Sequence, residues 1–192
     1  MAWDTEATRE RLLDAAIREF SERGFSGARI DQISKTSGTN RERIYFYFGG
    51  KVQLFEAALS RQLATSLEGL PVLGSGPEAA ADFAGRYFDF SVTQPALARL
   101  TFWEGLERGT PVDAERRALR AAGKVNELRQ ALPGVDQQAA EELLLTIVTL
   151  CHAWASSPNV SAVIAGTQDT ARRRASIMRT AELLARDAGN IA

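Results

Sequence analysis

The stretch GTNRERIYFYFGGK, residues 38–51, concentrates side chains that are suited to contact an anion. Arg41, Arg43 and Lys51 supply positive charge, and the four consecutive aromatic residues at 45–48 include two phenols. Arginine can bind a guanine edge or neutralise a phosphate, and a tyrosine combines an apolar ring with a hydroxyl that reaches a phosphate oxygen. The chemistry that this stretch offers is contact with a nucleic acid.

Local charge favours the same interpretation. The whole chain of 192 residues carries 23 cations against 24 acids, a net charge of −1, so its overall field does not attract a polyanion. From residue 29 to residue 51 the balance is five cations minus two acids, or +3; the cations are Arg29, Lys35, Arg41, Arg43 and Lys51, and the acids are Asp31 and Glu42. A local basic surface is sufficient for binding to nucleic acid.

Three short helices are predicted to position these side chains. An amphipathic helix over 5–23 places Leu12, Leu13, Ala16, Ile17 and Phe20 on one stripe. A second helix containing Ile30 and Ile33 ends before Gly38, whose freedom at positive φ suits a tight turn. Asn40 is expected to cap a third helix from Arg41 to about Tyr47. A short helix, a glycine turn and a capped second helix form the layout of a helix-turn-helix.

The third helix is predicted to have two faces. Ile44 and Phe48 are four residues apart and turn toward the core, while Tyr45 and Tyr47 leave that stripe. Lys51 begins a fourth helix of about 17 residues. At the N-terminus of a helix, free backbone amides favour the binding of an anion such as phosphate. Taken singly, each feature also has an ordinary interpretation: a solvated arginine pair, a packed aromatic run, or an incidental lysine. Their combination at fixed spacing favours DNA binding.

The rest of the chain is also predicted to be helical, which makes the fold class all-α with about nine helices. Further helices are expected at 78–93, 95–107, 112–132, 136–156 and 169–188, with loops at 69–77 and 157–168. We predict a DNA-binding domain at 1–51, a connecting helix and loop at 52–76, and a ligand-binding and dimerisation domain at 77–192.

Composition argues against several other classes of protein. One cysteine and one histidine, Cys151 and His152, cannot form an internal disulfide or a histidine metal cluster. An enzyme needs a nucleophile, a base and an orienting group, and the chain offers only scattered carboxylates. We therefore predict no catalytic residue, metal or cofactor. Because there is no long apolar run and the first residues are acidic, we also expect no membrane partner and a cytoplasmic location.

The segment 83–106 is unusually aromatic and is a candidate wall of a ligand pocket. The candidate residues are Phe83, Tyr87, Phe88, Phe102 and Trp103, with His152 from a later helix. Pocket walls and core walls are made of the same side chains. For each aromatic residue, ordinary helix packing is therefore at least as good an interpretation as contact with a ligand. For His152 we favour a packed position in the core.

From Thr8 to about Leu59 the sequence resembles the DNA-binding domain of the TetR family of bacterial transcriptional regulators. The resemblance lies in FSERGF, in RIDQISKTSG and above all in IYFYFGGK, and it covers a little over a quarter of the chain. It implies an all-helical homodimer whose two recognition helices read a palindromic operator in double-stranded DNA. It also implies a C-terminal domain that binds an unidentified small-molecule effector and then releases DNA.

The resemblance also implies roles for particular residues. Asn40 matches the capping position of the recognition helix, and Arg41 and Arg43 match positions that reach bases or backbone. The phosphate contacts of the family fall on Tyr45, Tyr47 and Lys51, and Arg29 lies where the second helix meets the DNA backbone. The last two long helices, which include Leu143, Ile147, Ile177 and Ala181, are the dimer interface that the family implies.

Four residues depart from the family pattern. Ala28 replaces Thr or Ser, Thr39 replaces an aliphatic residue, Glu42 stands where Gly or Pro is frequent, and Phe46 replaces histidine. Phe46 either presses on a thymine methyl or sugar, or packs within the protein. Because all four lie in the DNA-facing half, an alternative is a helical protein-interaction module that has lost DNA binding.

Overall fold

The computed structural model describes residues 2–67, 69–166 and 169–190, and within these ranges the chain forms ten α-helices and no strand. The predicted all-α fold is confirmed. The helices are α1 (Ala2–Gly27), α2 (Ile30–Ser37), α3 (Arg41–Phe48), α4 (Lys51–Leu67), α5 (Pro77–Thr93), α6 (Ala96–Glu107), α7 (Ala114–Ala131), α8 (Gln137–Ser156), α9 (Pro158–Ala165) and α10 (Thr170–Asn190).

The chain divides into two compact units. The first consists of Met1–Ala64 and Arg99–Ala114, and the second of Thr65–Ala98 and Glu115–Ala192. These boundaries differ from the predicted domains at 1–51, 52–76 and 77–192, because most of α4 and the segment that includes the end of α6 pack with the first three helices. The order of residues along the chain does not reveal that a segment near residue 100 belongs with the N-terminal helices.

The core of the first unit is built from the apolar stripe of α1. Leu12, Leu13, Ala16 and Phe20 are buried as the helical spacing predicts, and Ile33, Ile44, Leu54 and Phe55 close the core from α2, α3 and α4. Phe55 meets the ring of Phe20 edge-on, with 5.2 Å between the centroids. This core holds α2 and α3 at a fixed geometry.

The second unit is centred on α5, which packs most extensively against α10 and also against α8. Small side chains on the facing helices allow this close contact. Ala80 and Ala84 of α5 and Ala140 of α8 are buried beside Phe83 and Phe88. At Gly85 an added Cβ would lie 2.9 Å from Sδ of Met178 on α10, so only glycine fits there without a shift. The buried face of α10 is formed by Ile177, Ala181 and Ala185.

One predicted loop is wrong. The stretch expected to be a loop at 157–168 contains α9, which begins with Pro158 at its first position and ends before Gly166 at φ 69°. Proline suits the first turn of a helix, and glycine suits its left-handed end. The described residues therefore contain ten helices rather than about nine, while residues 167 and 168 of the predicted loop lie outside the described ranges.

Among the described helices none is, alone, long and apolar enough to cross a membrane. The α8 and α9 pair meets that test jointly by length and composition, but it is bent by 87°.

Candidate nucleic-acid interface

Asn40 fixes where α3 begins. Its backbone is extended, with φ −72° and ψ 155°, and its side-chain oxygen accepts a hydrogen bond from the backbone N–H of Arg43 at 3.1 Å. The preceding helix ends at Gly38 in the left-handed conformation, with φ 65° and ψ 26°. The predicted cap and the predicted glycine turn are both present, so α2 and α3 form a helix-turn-helix.

Helix α3 has the two faces that its sequence predicts. Ile44 and Phe48 are buried, whereas Arg43 is exposed, Tyr45 is 45% exposed and Tyr47 is half-buried. Phe46 is 80% exposed and makes an edge contact with the ring of Tyr47 at a centroid distance of 5.2 Å. Packing into the core is therefore not the role of Phe46, and the outer face of α3 combines cationic, phenolic and apolar groups.

Arg41 and Arg43 differ in how their guanidinium groups are engaged. Arg41 donates to Oδ1 of Asp31 and to the hydroxyl of Tyr45, both at 3.3 Å, and lies 5.8 Å from the centroid of the Tyr45 ring. The hydrogen bond with Tyr45, and secondarily the charges of Tyr45 and Asp31, raise the pKa of Arg41 above its ordinary value. Within the described ranges the guanidinium of Arg43 has neither a hydrogen-bond nor an ion-pair partner. Arg43 is therefore open to a base edge or phosphate without losing a contact.

Lys51 stands at the first position of α4. The first N–H groups of a helix have no partner within the helix itself. The Nζ of Lys51 donates to the carbonyl oxygen of Ser26 at 3.3 Å and lies 5.0 Å from the centroid of the Phe25 ring. An ammonium has three donors, so this contact leaves capacity for a phosphate oxygen.

Arg29 is placed through its backbone at the start of α2. It occupies the capping position in extended conformation, and its N–H donates to Oε1 of Glu19 at 3.1 Å. Glu19 is buried, and its Oε1 also pairs with Nε of Arg23 at 3.5 Å. This arrangement leaves the side chain of Arg29 exposed.

The candidate pocket residues fall into different units. Phe83, Tyr87, Phe88 and His152 lie in the second unit, where all four are buried, while Phe102 and Trp103 belong to the first unit. The hydroxyl of Tyr87 and Nε2 of His152 form a hydrogen bond at 2.9 Å. Burial, and then the charge of Arg117, lower the pKa of His152 to about 4, and burial raises the pKa of Tyr87.

Two interface residues were not predicted from the sequence. Asp31 pairs with Arg41, and Glu107 of α6 contacts the last turn of α1, after the break at Gly24. The spacing of Asp31 and Arg41, ten residues apart across a turn, could have suggested a pair. Nothing in the sequence connects Glu107 with residues more than 80 positions earlier. In the described part of the chain, no group of three or more His, Cys, Asp or Glu side chains is arranged to hold a metal ion.

A capped second helix that exposes arginine and tyrosine beside a basic turn defines the class of helix-turn-helix DNA-binding proteins. Residues 12–58 match the family model described as bacterial regulatory proteins, tetR family, and residues 80–182 match the tetracyclin repressor-like C-terminal domain. The chain belongs to the TetR family, and it is a DNA-binding transcriptional regulator rather than an enzyme.

Relatives of known name and structure agree with this assignment. The HTH-type transcriptional repressor SCO4008 of Streptomyces coelicolor is 33% identical over 173 residues, which are 88% of each chain. The crystal structure of SCO4942 from the same species has a TM-score of 0.74 at 31% identity, and the match covers 92% of this chain and 97% of that chain. FadR from Bacillus subtilis, solved in complex with stearoyl-CoA, shares the fold with a TM-score of 0.67 at 18% identity, over 90% of this chain and 97% of its own.

Proposed function

We propose that this regulator is a repressor that binds a palindromic operator as a homodimer and is released from DNA by a small molecule. The observation that carries the proposal is the outer face of α3: a helix capped by Asn40 that exposes Arg43 and Tyr45 on a buried base of Ile44 and Phe48. A short helix with this polarity fits the major groove, where arginine reads guanine and neighbouring side chains bind phosphates.

The contacts divide by type. Arg41 and Arg43 are proposed to reach base edges, and Tyr45, Tyr47 and Lys51 to bind phosphates. Asn40 contributes by fixing the start of α3, and Arg29 by reaching the DNA backbone from the start of α2. The exposed ring of Phe46 is proposed to contact a thymine methyl or a sugar.

The homodimer is proposed to form through α8 and α10. Both helices bury one face in their own unit, and both also expose large apolar side chains: Leu145 is 59% and Leu183 is 66% exposed. A four-helix contact between two such pairs would cover these groups and would give the dimer twofold symmetry. The operator would then consist of two half-sites about 10 base pairs apart, centre to centre, or a multiple of that spacing.

The effector is proposed to bind in the second unit at Phe83, Tyr87, Phe88 and His152. The Tyr87–His152 pair gives this apolar core a polar group with which a ligand could exchange a hydrogen bond. The stearoyl-CoA complex of FadR supports ligand binding by a protein of this fold. Phe102 and Trp103 lie in the first unit. Contact of these two residues with the effector is therefore a prediction separate from the second-unit site.

Selection of duplexes from a random pool, combined with light scattering, tests the proposal. We expect a recovered consensus with two inverted half-sites and a mass of two chains in solution. Leu183→Glu should reduce the mass to one chain because it places a charge in the apolar contact, and the exposed Arg172→Glu is the matched control on the same helix. Recovery of no duplex would favour the protein-interaction module, and an asymmetric consensus or a monomeric wild-type protein would contradict the dimer.

Screening compounds for release of the recovered duplex tests the effector site. An effector that loses potency with Tyr87→Phe would support the second-unit site. An effector whose potency is unchanged by both Tyr87→Phe and His152→Gln binds elsewhere.

A further inference from the structure

The last turn of α1, after its break at Gly24, is held by a carboxylate that lies far away in the sequence. Helix α1 breaks at Gly24, with φ 71° and ψ −179°, so the next amide groups leave the regular hydrogen-bond ladder of the helix. Oε2 of Glu107, at the end of α6, accepts hydrogen bonds from the backbone N–H of Phe25 at 2.6 Å and of Ser26 at 3.1 Å. One carboxylate therefore fixes two consecutive peptide groups.

The same short segment holds Lys51. The carbonyl of Ser26 accepts the hydrogen bond from Nζ of Lys51, and the ring of Phe25 lies beneath the ammonium. Glu107 and Lys51 thus contact the N–H and the carbonyl of one residue, Ser26. A shift of that residue would move the anchor of the ammonium.

Side chains next to Glu107 hold the end of α6 against this segment. One helical turn before it, the ring of Trp103 packs so closely that a Cβ at Gly24 would lie 2.8 Å from Cε3. On its other side, Arg108 donates to Oε1 of Glu56 at 3.1 Å and lies 5.5 Å from the centroid of the Phe25 ring. Glu107 is therefore a fixed acceptor rather than a mobile surface acid.

We propose that Glu107 is a positioning residue for DNA binding. It fixes Phe25 and Ser26 through charge-assisted hydrogen bonds, and Ser26 in turn holds the ammonium of Lys51 where it can meet a phosphate. The inference rests on the proposed phosphate contact of Lys51. It assigns to a negatively charged residue of α6 a favourable effect on the binding of a polyanion, which its charge alone would oppose.

Fluorescence anisotropy titrations of a selected duplex over a series of salt concentrations test this role. Glu107→Gln removes a negative charge, yet we expect about fivefold weaker binding and a salt slope, log K against log salt, that is shallower by up to about 0.9. Glu107→Asp keeps the charge but shortens the reach, and it should change both quantities in the same direction. Glu22→Gln, an exposed acid on α1, is the matched control and should bind at least as well as the wild type.

A Lys51→Ala variant separates the two layers of the proposal. If Lys51→Ala leaves affinity and salt slope unchanged, the phosphate contact itself is absent and the role of Glu107 falls with it. If Lys51→Ala weakens binding while both Glu107 variants match Glu22→Gln, the role of Glu107 alone is overturned.

The double variant, Glu107→Gln with Lys51→Ala, tests whether the two residues act on the same contact with DNA. Glu107→Gln should weaken binding little further when Lys51 is already alanine, because both changes act on one contact. Fully additive losses would overturn the proposal. A loss of folding stability alone would lower the thermal midpoint without changing the salt slope, so the slope distinguishes positioning from support of the fold.

Discussion

Two aromatic clusters of similar composition have opposite surroundings in this molecule. On α3, Tyr45 and Phe46 are exposed, whereas on α5 Phe83 and Tyr87 are buried. The two phenols also differ in partner, because Tyr45 meets the guanidinium of Arg41 and Tyr87 meets His152. An aromatic run therefore indicates an interface when cations and a helix cap accompany it, and a packed core when alanines surround it.

The largest expected effect is on folding stability. One pair of substitutions, in the buried cluster of α5 and in the exposed cluster of α3, tests the difference between the two clusters. Phe83→Ala should lower the free energy of unfolding by about 3 to 5 kcal/mol, because it leaves a cavity in a close-packed core. Phe46→Ala should change it by less than about 0.5 kcal/mol, because its ring is largely in solvent. Urea unfolding of both variants measures the difference.

Similar losses for the two phenylalanines would contradict the assignment of α5 to the core and α3 to the surface. Binding to DNA sharpens the test. Phe46→Ala should weaken binding while the protein stays folded.

The second expected effect concerns pH. His152 has a pKa of about 4 in the folded protein against about 6.5 when unfolded, so between these values the unfolded chain binds more protons. Its contribution to stability is fully present above about pH 6.5 and is lost as the pH falls toward 4, with a total of roughly 3 kcal/mol. Unfolding free energies across this range, compared with His152→Gln, isolate the contribution of the single histidine.

In the glutamine variant the curve should be flatter between pH 6.5 and 4 than in the wild type. Parallel curves would mean that His152 is accessible to protons in the folded state. The Tyr87–His152 pair would then not be buried in the protein in solution.

The third expected effect compares two glycines in the first unit. Gly24→Ala should lower the free energy of unfolding by about 2 to 3 kcal/mol, because its φ of 71° with extended ψ is suited only to glycine and because Trp103 occupies the space of a Cβ. Gly38→Ala should cost about 1 kcal/mol, since it is left-handed but has open space around it. Thermal and urea unfolding rank the two variants.

If the two glycine variants were equally stable, the contact between Trp103 and the break in α1 would be absent in solution. Equal stability would also remove the support that Trp103 gives to the position of Glu107.

The sequence predicted the local elements well because their causes are local. The cap at Asn40, the turn at Gly38 and the start of α4 at Lys51 follow from residues within four positions of each. The opposed faces of α3 follow from the spacing of Ile44 and Phe48.

Other features arise from tertiary packing and could not be predicted from residue order. Glu107 reaches Phe25 across 82 residues. Helix α9 forms in a short segment between Pro158 and Gly166, two residue types that are also typical of a loop. The division of the candidate pocket residues between two units depends on where α6 packs. Aromatic composition does not determine that position.

The most direct test of the account is a titration of selected duplexes with the wild-type protein and with Arg43→Ala. Arg43 is the guanidinium on the outer face of α3 without a partner in the described structure, so its loss leaves folding intact. We predict that Arg43→Ala weakens binding by about 1 to 3 kcal/mol and relaxes base preference at one position of each half-site, with an unchanged thermal midpoint. Unchanged affinity and an unchanged preference profile would contradict the insertion of α3 into the groove.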